Sequence, residues 1–293
     1  MVDVTPVLVT LDGRSHDAST PLLYADDLAA VRGDGVFETL LVRDGAACLV
    51  EAHLSRLAYS ARTLDLPDPD LTAWRAAVAA AAAQWVAQSS EEAALRLVYS
   101  RGRETGSEPT AYVSVQRLAD RVVAARRDGV SVLSLDRGLP AAGVDAMPWL
   151  LAGAKTLSYA VNMAALRHAA RHGADDVIFL STDGFVLEGP RSTVVIATER
   201  ADGSPCLLTP PPWYPILRGT TQQALFEVAR GKGYECDYRA LRMEDLVAAQ
   251  GVWLVSAITL GARVHTLDGR RLAAPPSAGE FATLVDAAVV SDR

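Results

Sequence analysis

The sequence predicts an α+β fold, in which strands and helices are mixed without regular alternation. Two dipeptides, Asp44-Gly45 and Asp183-Gly184, stand between apolar segments and are typical of tight hairpin turns, because both turn positions need a positive φ. Elsewhere apolar residues recur at helical spacing, as in Ala52–Leu64. With 293 residues, 50% of them apolar, the chain is long enough for one large core or two domains.

The first half of the chain is predicted to contain several strands and two helices. The helices are Ala52–Leu64, which ends before Pro67 and Pro69, and the alanine-rich Leu71–Gln88. The Asp44-Gly45 turn joins two of the strands into a hairpin. The predicted strands are Val7–Leu11, Val36–Arg43, Ala46–Val50, Ala94–Ser100, Ala111–Arg117 and Val130–Leu135.

The second half follows a stretch rich in Gly and Pro, Asp136–Gly153, which lacks periodicity and is predicted to link two domains. We therefore divide the chain into a small N-terminal domain of residues 1–135, a linker of residues 136–153 and a C-terminal domain of residues 154–293. The predicted helices of the second half are Ser158–His172, Thr220–Gly231 and Ser277–Val290. The predicted strands are Val177–Ser181, Phe185–Glu188, Thr193–Thr198, Leu207–Thr209 and Val252–Ser256.

Composition argues against several classes of partner. The chain carries 28 basic and 35 acidic residues, and this net charge of −7 disfavours nucleic acid as the main ligand. No apolar stretch reaches the ~20 residues that a helical membrane span needs, so we predict no membrane contact. The three cysteines are far apart in the sequence, which predicts free thiols in a cytoplasmic protein rather than a disulfide framework.

Lys155 stands out because only two of the 28 basic residues, Lys155 and Lys232, are lysines. Arginine stays protonated in proteins, whereas a desolvated lysine can lose its proton and attack a carbonyl group as a neutral amine. A lysine between a Gly-rich stretch and a helix therefore suggests Schiff-base chemistry. The alternative is a surface lysine without a special function, which fits Lys232 well.

Two other motifs give only weak signals. Gly33-Asp34-Gly35 precedes a strand rather than a helix, which argues against a dinucleotide site. His168 and His172 are four residues apart, but no glutamate follows the first of them as it does in zinc hydrolases. We therefore predict no metal centre.

Three further features complete a candidate site with Lys155. Gly219-Thr220-Thr221 begins a predicted helix, and a helix N-terminus with two hydroxyl groups suits a phosphate. Arg56 lies on a predicted helix and offers a bidentate phosphate contact. Glu188, at the end of a predicted hairpin, offers a carboxylate. Each feature alone also fits an ordinary surface residue or turn, but together they are typical of a pyridoxal phosphate site.

Six motifs in a fixed order resemble those of the fold type IV pyridoxal phosphate enzymes. This family contains branched-chain aminotransferases, D-amino acid aminotransferases and 4-amino-4-deoxychorismate lyases, and the resemblance covers nearly the whole chain. It implies a small N-terminal α/β domain and a larger C-terminal α/β-barrel-like domain, with a site between them that the second subunit of a homodimer completes. The motifs are Gly33–Thr39, His53–Leu57, Lys155–Tyr159, Glu188-Gly189, Leu208–Pro211 and Gly219–Thr221.

The resemblance also implies a role for each residue of the cofactor site. Lys155 would carry pyridoxal phosphate as a Schiff base and would move a proton. Glu188 would face the pyridine nitrogen, and Tyr159 would bond to the phenolate oxygen of the cofactor. The residues implied to hold the phosphate are Arg56, Thr220, Thr221 and, by a looser match, Ser256 and Thr259.

The form of two motifs, Gly33–Thr39 and Ser100-Arg101-Gly102, resembles the lyases more closely than the branched-chain enzymes. We therefore predict an aminodeoxychorismate lyase, which eliminates pyruvate to give 4-aminobenzoate for folate synthesis. Its small anionic substrate carries two carboxylates, for which Arg32, Arg96 and Arg101 are the candidate binding residues. Two alternatives stay open: a class IV aminotransferase acting on branched-chain or D-amino acids, and a non-enzymatic binding protein that keeps the fold.

Overall fold

The computed structural model describes residues 5–275 and 277–292. Its chain forms two compact units. The first contains the chain up to Ala119 together with Ala154–Tyr159 and Asp292, and the second contains Asp120–Gly153 and Ala160–Ser291. Each unit combines helices with a β-sheet, which confirms the predicted α+β class.

The first unit is built on an antiparallel sheet. Its elements are β1 (Val7–Thr10), β2 (Ser15–Asp17), α1 (Leu28–Arg32), β3 (Gly35–Arg43), β4 (Ala46–Ala47), α2 (Val50–Thr63), α3 (Leu71–Val86), β5 (Ala93–Ser100) and β6 (Thr110–Arg117). Among the described residues, six strands pair in the order β2-β1-β6-β5-β3-β4. All of these pairs are antiparallel.

Alternation along the central strands decides which face of this sheet is packed. Every second residue of β3, β5 and β6 is buried on the side of α2 and α3, among them Leu40, Leu97 and Val113. Trp74 and Trp85 of α3 are buried in the same layer. Full burial of an aliphatic side chain such as Leu40 or Val113 stabilises a fold by about 1.5–3 kcal/mol. The other face of the sheet is therefore left for polar residues and for ligand contacts.

The second unit is built on a mixed sheet. Its elements are α4 (Asp120–Asp128), β7 (Val130–Asp136), α5 (Ala160–Arg171), β8 (Asp176–Leu180), β9 (Thr193–Glu199), β10 (Pro205–Thr209), α6 (Thr220–Gly231), β11 (Glu235–Tyr238), α7 (Met243–Ala248), β12 (Gly251–Ser256), β13 (Leu260–Leu267), β14 (Arg270–Arg271) and α8 (Ala278–Val289). The strand order in the described residues is β11-β10-β9-β12-β13-β7-β8, with β14 paired to β13.

Strands β10 and β11 are parallel neighbours joined by α6, which makes a βαβ unit. The helix returns the chain along the sheet, so its N-terminus lies at the edge where both strands end. Accordingly, Thr209, Gly219 and Tyr238 line one cavity at that edge. Ligands of α/β units bind beyond the carboxyl ends of the strands, so this topology puts Gly219-Thr220-Thr221 at a position suited to binding.

Two predicted strands differ from the structure. Phe185–Glu188 is predicted as a strand but forms a single bridge, between Val186 and Leu180 of β8, and the Val186 N–H donates instead to the carbonyl of Leu241. The strand predicted to end at Val50 stops at Ala47 instead, because Leu49 adopts a left-handed φ of 52° and α2 begins directly after it. Both differences arise from contacts or backbone angles that local sequence does not specify.

The boundaries of the two compact units also differ from the predicted domain boundaries. Strand β7 pairs with β8 and β13, so Val130–Asp136 belongs to the second unit. Most of the predicted linker belongs there too, and it contains short 3-10 helices at Val144–Ala146 and Pro148–Leu150. Ala154–Tyr159, by contrast, pairs with β3 and belongs to the first unit. This division departs from the predicted limits of 1–135 and 154–293.

No helix in the described part of the chain is long and apolar enough to cross a membrane. All three cysteines are buried free thiols. Within residues 5–275 and 277–292, no three His, Cys, Asp or Glu side chains are grouped in a way that could hold a metal ion.

Candidate active site

The backbone of Lys155 is fixed against the sheet of the first unit. The Phe37 N–H donates to the Lys155 carbonyl at 3.0 Å, and a bridge joins Val36 to Thr156. On the other side, the Lys155 N–H donates to the hydroxyl of Ser60, a fully buried residue of α2, at 3.1 Å. Strand β3 and helix α2 therefore set the position from which this side chain extends.

Two aromatic rings set the direction of the Lys155 side chain. Its Nζ atom lies 4.3 Å from the centroid of the Phe37 ring and 5.9 Å from that of the Tyr159 ring. The two rings meet edge to face, with centroids 5.4 Å apart. The structure thus brings together Lys155 and Tyr159, two of the residues predicted for the cofactor site.

A buried cluster of Glu38, His53 and Arg56 lies beside the same strand. Arg56 donates from Nε and Nη2 to the two carboxylate oxygens of Glu38, each at 2.7 Å, and His53 Nδ1 lies 2.7 Å from Glu38 Oε2. The Glu38 and His53 side chains are fully buried, and that of Arg56 is 12% exposed. The geometry fixes the plane of the Arg56 guanidinium, as a bidentate contact to an anion requires.

Charge and burial act in opposite directions on the acid in this cluster. Burial raises the pKa of Glu38, but the charge of Arg56 and the hydrogen bonds from Arg56 and His53 outweigh it and hold the pKa well below its usual range. Burial lowers the pKa of His53, and the charge of Lys155 adds to that effect although Glu38 opposes it. We therefore assign an ionised Glu38 that accepts from a neutral His53.

The sequence predicted a role for Arg56 but none for Glu38 and His53, although both lie in motifs that carry the family resemblance. Glu38 lies between Val36 and Leu40 on the buried side of β3, where a charged residue is unusual unless it is paired. His53 and Arg56 are three residues apart on α2 and therefore share a helix face. An acid in an apolar strand pattern, followed by a basic residue on a helix, is the signal that could have identified the cluster.

The structure distinguishes the three arginines predicted to bind substrate. Arg101 donates to both carboxylate oxygens of Asp34 at 2.7 and 3.1 Å, and to the carbonyls of Leu64 and Asp65. Arg32 is exposed at the end of α1, and Arg96 is exposed on β5. The contacts of Arg101 connect the end of β5 to the end of α2. They occupy the Arg101 guanidinium and therefore disfavour the predicted role of Arg101 in substrate binding, which stays a prediction.

In the second unit, Glu188 is oriented by a backbone group. The Leu217 N–H donates to Glu188 Oε2 at 3.0 Å, and the Glu188 carbonyl accepts from the Phe179 N–H at 2.8 Å. Leu217 stands two residues before Gly219, the N-cap of α6. The predicted carboxylate and the predicted phosphate site are therefore brought together by one short segment.

The N-terminus of α6 has the features of an anion site. Gly219 caps the helix without a side-chain hydrogen bond, and Thr220 and Thr221 are buried. Within the described residues, the buried Oγ1 atom of Thr221 has no hydrogen-bond partner. A Cβ atom on Gly219 would lie 2.3 Å from Thr193 Oγ1, so only glycine leaves this cradle free. An unpartnered, buried hydroxyl at a helix N-terminus fits a phosphate group.

Ser256 and Thr259 lie in one tight turn between β12 and β13. The Thr259 N–H donates to Ser256 Oγ at 3.2 Å, and the carbonyl of Ile258 accepts from the Arg126 guanidinium at 2.9 Å. Helix α6 packs against β12, of which Ser256 is the last residue. The structure thus brings the two residues of the looser match together, and their part in holding a phosphate stays a prediction.

Comparison with known proteins defines the class of protein to which this geometry belongs. The chain is a member of the class IV aminotransferase family, which matches residues 35–267. It is 73% identical over 289 residues to a bifunctional aminodeoxychorismate lyase / D-amino acid transaminase of Mycobacterium tuberculosis, covering 98% of this chain and 100% of that protein.

Solved structures agree with this assignment. A hypothetical aminotransferase from Mycobacterium tuberculosis matches in a PLP-bound form (73% identity) and in a form with α-ketoglutarate and PMP (72%), each with a TM-score of 0.95 and covering 98% of this chain and 100% of that chain. The fold IV-transaminase CpuTA1 from Curtobacterium pusillum matches with a TM-score of 0.89 and 38% identity, covering 97% of each chain. The predicted fold type IV and the predicted enzyme class are confirmed, and the non-enzymatic alternative is not carried further.

Proposed function

We propose that this enzyme is a 4-amino-4-deoxychorismate lyase that uses pyridoxal phosphate. The observation that carries the proposal is the 73% identity, over 100% of its length, to a relative that is named for this activity. A second candidate is transamination of D-amino acids. It is favoured by the second activity in that relative's name and by the solved form of a similar protein with α-ketoglutarate and PMP.

Pyridoxal phosphate is the cofactor, and when bound it supplies an electron sink for charge that develops on the carbon next to the substrate's amino group. Lys155 provides the primary amine that attaches the cofactor, and its Nζ atom then moves a proton. Glu188, oriented by the Leu217 N–H, accepts a hydrogen bond from the pyridine nitrogen and keeps that nitrogen protonated. Tyr159 donates to the phenolate oxygen of the cofactor.

Five residues are proposed to hold the phosphate of the cofactor. Arg56 presents a guanidinium whose plane is fixed by Glu38 and His53, which act as positioning residues. Thr220 and Thr221 contribute the N-terminus of α6, and the unpartnered Thr221 hydroxyl donates to a phosphate oxygen. Ser256 and Thr259 are proposed as further donors.

The lyase reaction balances without a co-reactant. Lys155 removes the proton from the amine-bearing ring carbon, and the carbon–oxygen bond to the enolpyruvyl group then breaks. The ring becomes aromatic and leaves as 4-aminobenzoate, while the departing group takes up one proton and leaves as pyruvate. Arg32 and Arg96 are proposed to bind the substrate carboxylates.

Pyruvate release separates the two candidate functions. The holoenzyme is expected to convert aminodeoxychorismate to equimolar pyruvate and 4-aminobenzoate with no keto acid added, because the elimination is complete in itself. Coupled lactate dehydrogenase and the fluorescence of 4-aminobenzoate measure the two products. Absence of both products, with D-alanine and α-ketoglutarate converted to pyruvate and glutamate, would contradict the lyase proposal and favour the transaminase.

We also propose that the protein acts as a homodimer in the cytoplasm. The family resemblance supports the dimer, and so does the exposure of two large apolar side chains in the second unit. Trp149 is 71% exposed and Trp213 is 64% exposed. Exposed tryptophans of this kind are typical of contact surfaces.

A further inference from the structure

One face of the first unit's sheet carries a row of polar side chains. We call it the Arg96 face, and it is the side opposite α2 and α3. Thr39, Arg96 and Ser114 stand in register across β3, β5 and β6, and Phe37, Val98 and Tyr112 form the next row. Because the side chains of paired residues point to the same side, all six belong to one face.

Arg96 and Tyr112 carry the two long hydrogen-bond donor side chains on this face. Among the described residues, neither the Arg96 guanidinium nor the Tyr112 hydroxyl has a hydrogen bond or an ion pair with another group. Other arginines of this unit are paired with acids, as Arg43 is with Glu92 and Arg103 with Asp26. Donors left unpaired on a strand face are available to a ligand that accepts hydrogen bonds.

Arg96 and Tyr112 are close enough to act on one ligand. They are diagonal neighbours on adjacent strands, because Arg96 pairs with Ser114 and Tyr112 lies two residues before it. Such neighbours are about 7–8 Å apart, a gap that one carboxylate can bridge from two long side chains. Burial raises the pKa of Tyr112, the charge of Arg96 lowers it, and the charge of Asp27 raises it. The Asp27 carboxylate already accepts from the Ser100 and Thr110 hydroxyls and from the Ala29 N–H.

The same face carries the proposed catalytic amine. Phe37 belongs to the Arg96 face, and Lys155 Nζ lies 4.3 Å from its ring centroid. A substrate whose amino-bearing carbon reaches Lys155 therefore extends along a surface on which Arg96 and Tyr112 are long donors without a partner among the described residues. A planar guanidinium and a phenol hydroxyl are both suited to a carboxylate.

We infer that Tyr112 is a specificity-determining residue that, together with Arg96, binds a carboxylate of the substrate. The inference rests on the proposed function, because it takes the ligand of this face to be the dicarboxylic lyase substrate or a keto acid. It assigns Tyr112 a role in substrate binding and none in proton transfer.

The test compares Tyr112→Phe with the wild-type holoenzyme, and uses Tyr59→Phe as the matched control. Tyr59 is a 46% exposed tyrosine of α2. Loss of one hydrogen bond to a charged group is expected to raise the KM for aminodeoxychorismate about tenfold or more, with kcat unchanged within about twofold. The dissociation constants of α-ketoglutarate and pyruvate, measured by calorimetry, give a readout that does not depend on turnover.

Each outcome decides the inference. Weaker binding of both keto acids to Tyr112→Phe supports it and places Tyr112 at the carboxylate that they share, whereas weaker binding of α-ketoglutarate alone places it at the distal carboxylate. An unchanged KM and unchanged dissociation constants overturn the inference while leaving the proposed lyase intact. Wild-type protein that releases no pyruvate overturns the proposed function, and calorimetry then still decides the role of Tyr112.

Discussion

Replacing Lys155 with alanine is expected to lower turnover by about 10²- to 10⁴-fold or more, because proton transfer by a positioned group contributes about that much and the cofactor's attachment is lost as well. Lys155→Arg is expected to fail to a similar degree, since arginine keeps the charge but cannot become a neutral nucleophile. Pyruvate release under saturating aminodeoxychorismate measures the effect.

The chain contains its own control for this change. Lys232 is the other lysine, and it follows the end of α6 between Gly231 and Gly233. Lys232→Ala removes the same functional group at a position that has no aromatic contact among the described residues, and it is expected to leave turnover unchanged. Full activity in Lys155→Arg would be incompatible with the mechanism proposed here.

Glu38→Ala is expected to lower the free energy of unfolding by about 3–5 kcal/mol, because it leaves the buried charge of Arg56 without its partner. The carboxylate is fully buried and accepts hydrogen bonds from both Arg56 and His53. Denaturation in urea at neutral pH measures the loss. The affinity for pyridoxal phosphate is expected to fall too, because Arg56 is no longer held in one plane.

A surface ion pair of equal geometry is the control. Glu51 accepts from Arg75 through both oxygens at 2.7 and 2.8 Å, but the two side chains are 65% and 47% exposed. Glu51→Ala is expected to cost far less, because solvent screens exposed pairs. Equal losses in the two variants would show that burial does not determine the strength of the Glu38 cluster.

The cluster also gives a pH dependence with a defined sign. The folded-state pKa of Glu38 is held below the ordinary value of 4.5 and that of His53 below 6.5, so the unfolded chain binds more protons at acidic pH. The stability from His53 is present above 6.5 and that from Glu38 above 4.5, and each is lost as the pH falls through the folded-state pKa. The difference in unfolding free energy between wild type and Glu38→Ala is therefore expected to shrink below pH 4.5.

Local sequence predicted the elements that carry a strong pattern of their own. The helices α2, α3 and α6 have clear apolar spacing or a defined start, and their bounds in the structure lie within two residues of the predicted ones. The elements that were missed lack such patterns. Helix α1 has five residues, and α4 buries only Val122, so neither shows a helical stripe. Strand β13 was missed although it forms a hairpin with β12, and its second pairing, with β7, joins residues distant in sequence.

The residues of the candidate site could likewise be predicted only where the local sequence sets them apart. Lys155 could be found from the sequence because the chain otherwise uses arginine for positive charge. The arginines that bind substrate could not be found in this way, because the chain has 26 arginines and the local sequence does not distinguish Arg96 from Arg101. Only tertiary contacts show that Arg101 is engaged by Asp34, and only strand register places Tyr112 next to Arg96.

The most direct test of the account is to find which lysine carries the cofactor. Reduction of the holoenzyme with borohydride fixes pyridoxal phosphate to its lysine, and peptide mass spectrometry then locates the label. The chain contains two lysines, so the label on a lysine side chain can lie at only two positions. We predict a label on the peptide that contains Lys155 and none on the peptide that contains Lys232. A label on Lys232 alone, or no label on protein that has been saturated with pyridoxal phosphate, would contradict the account.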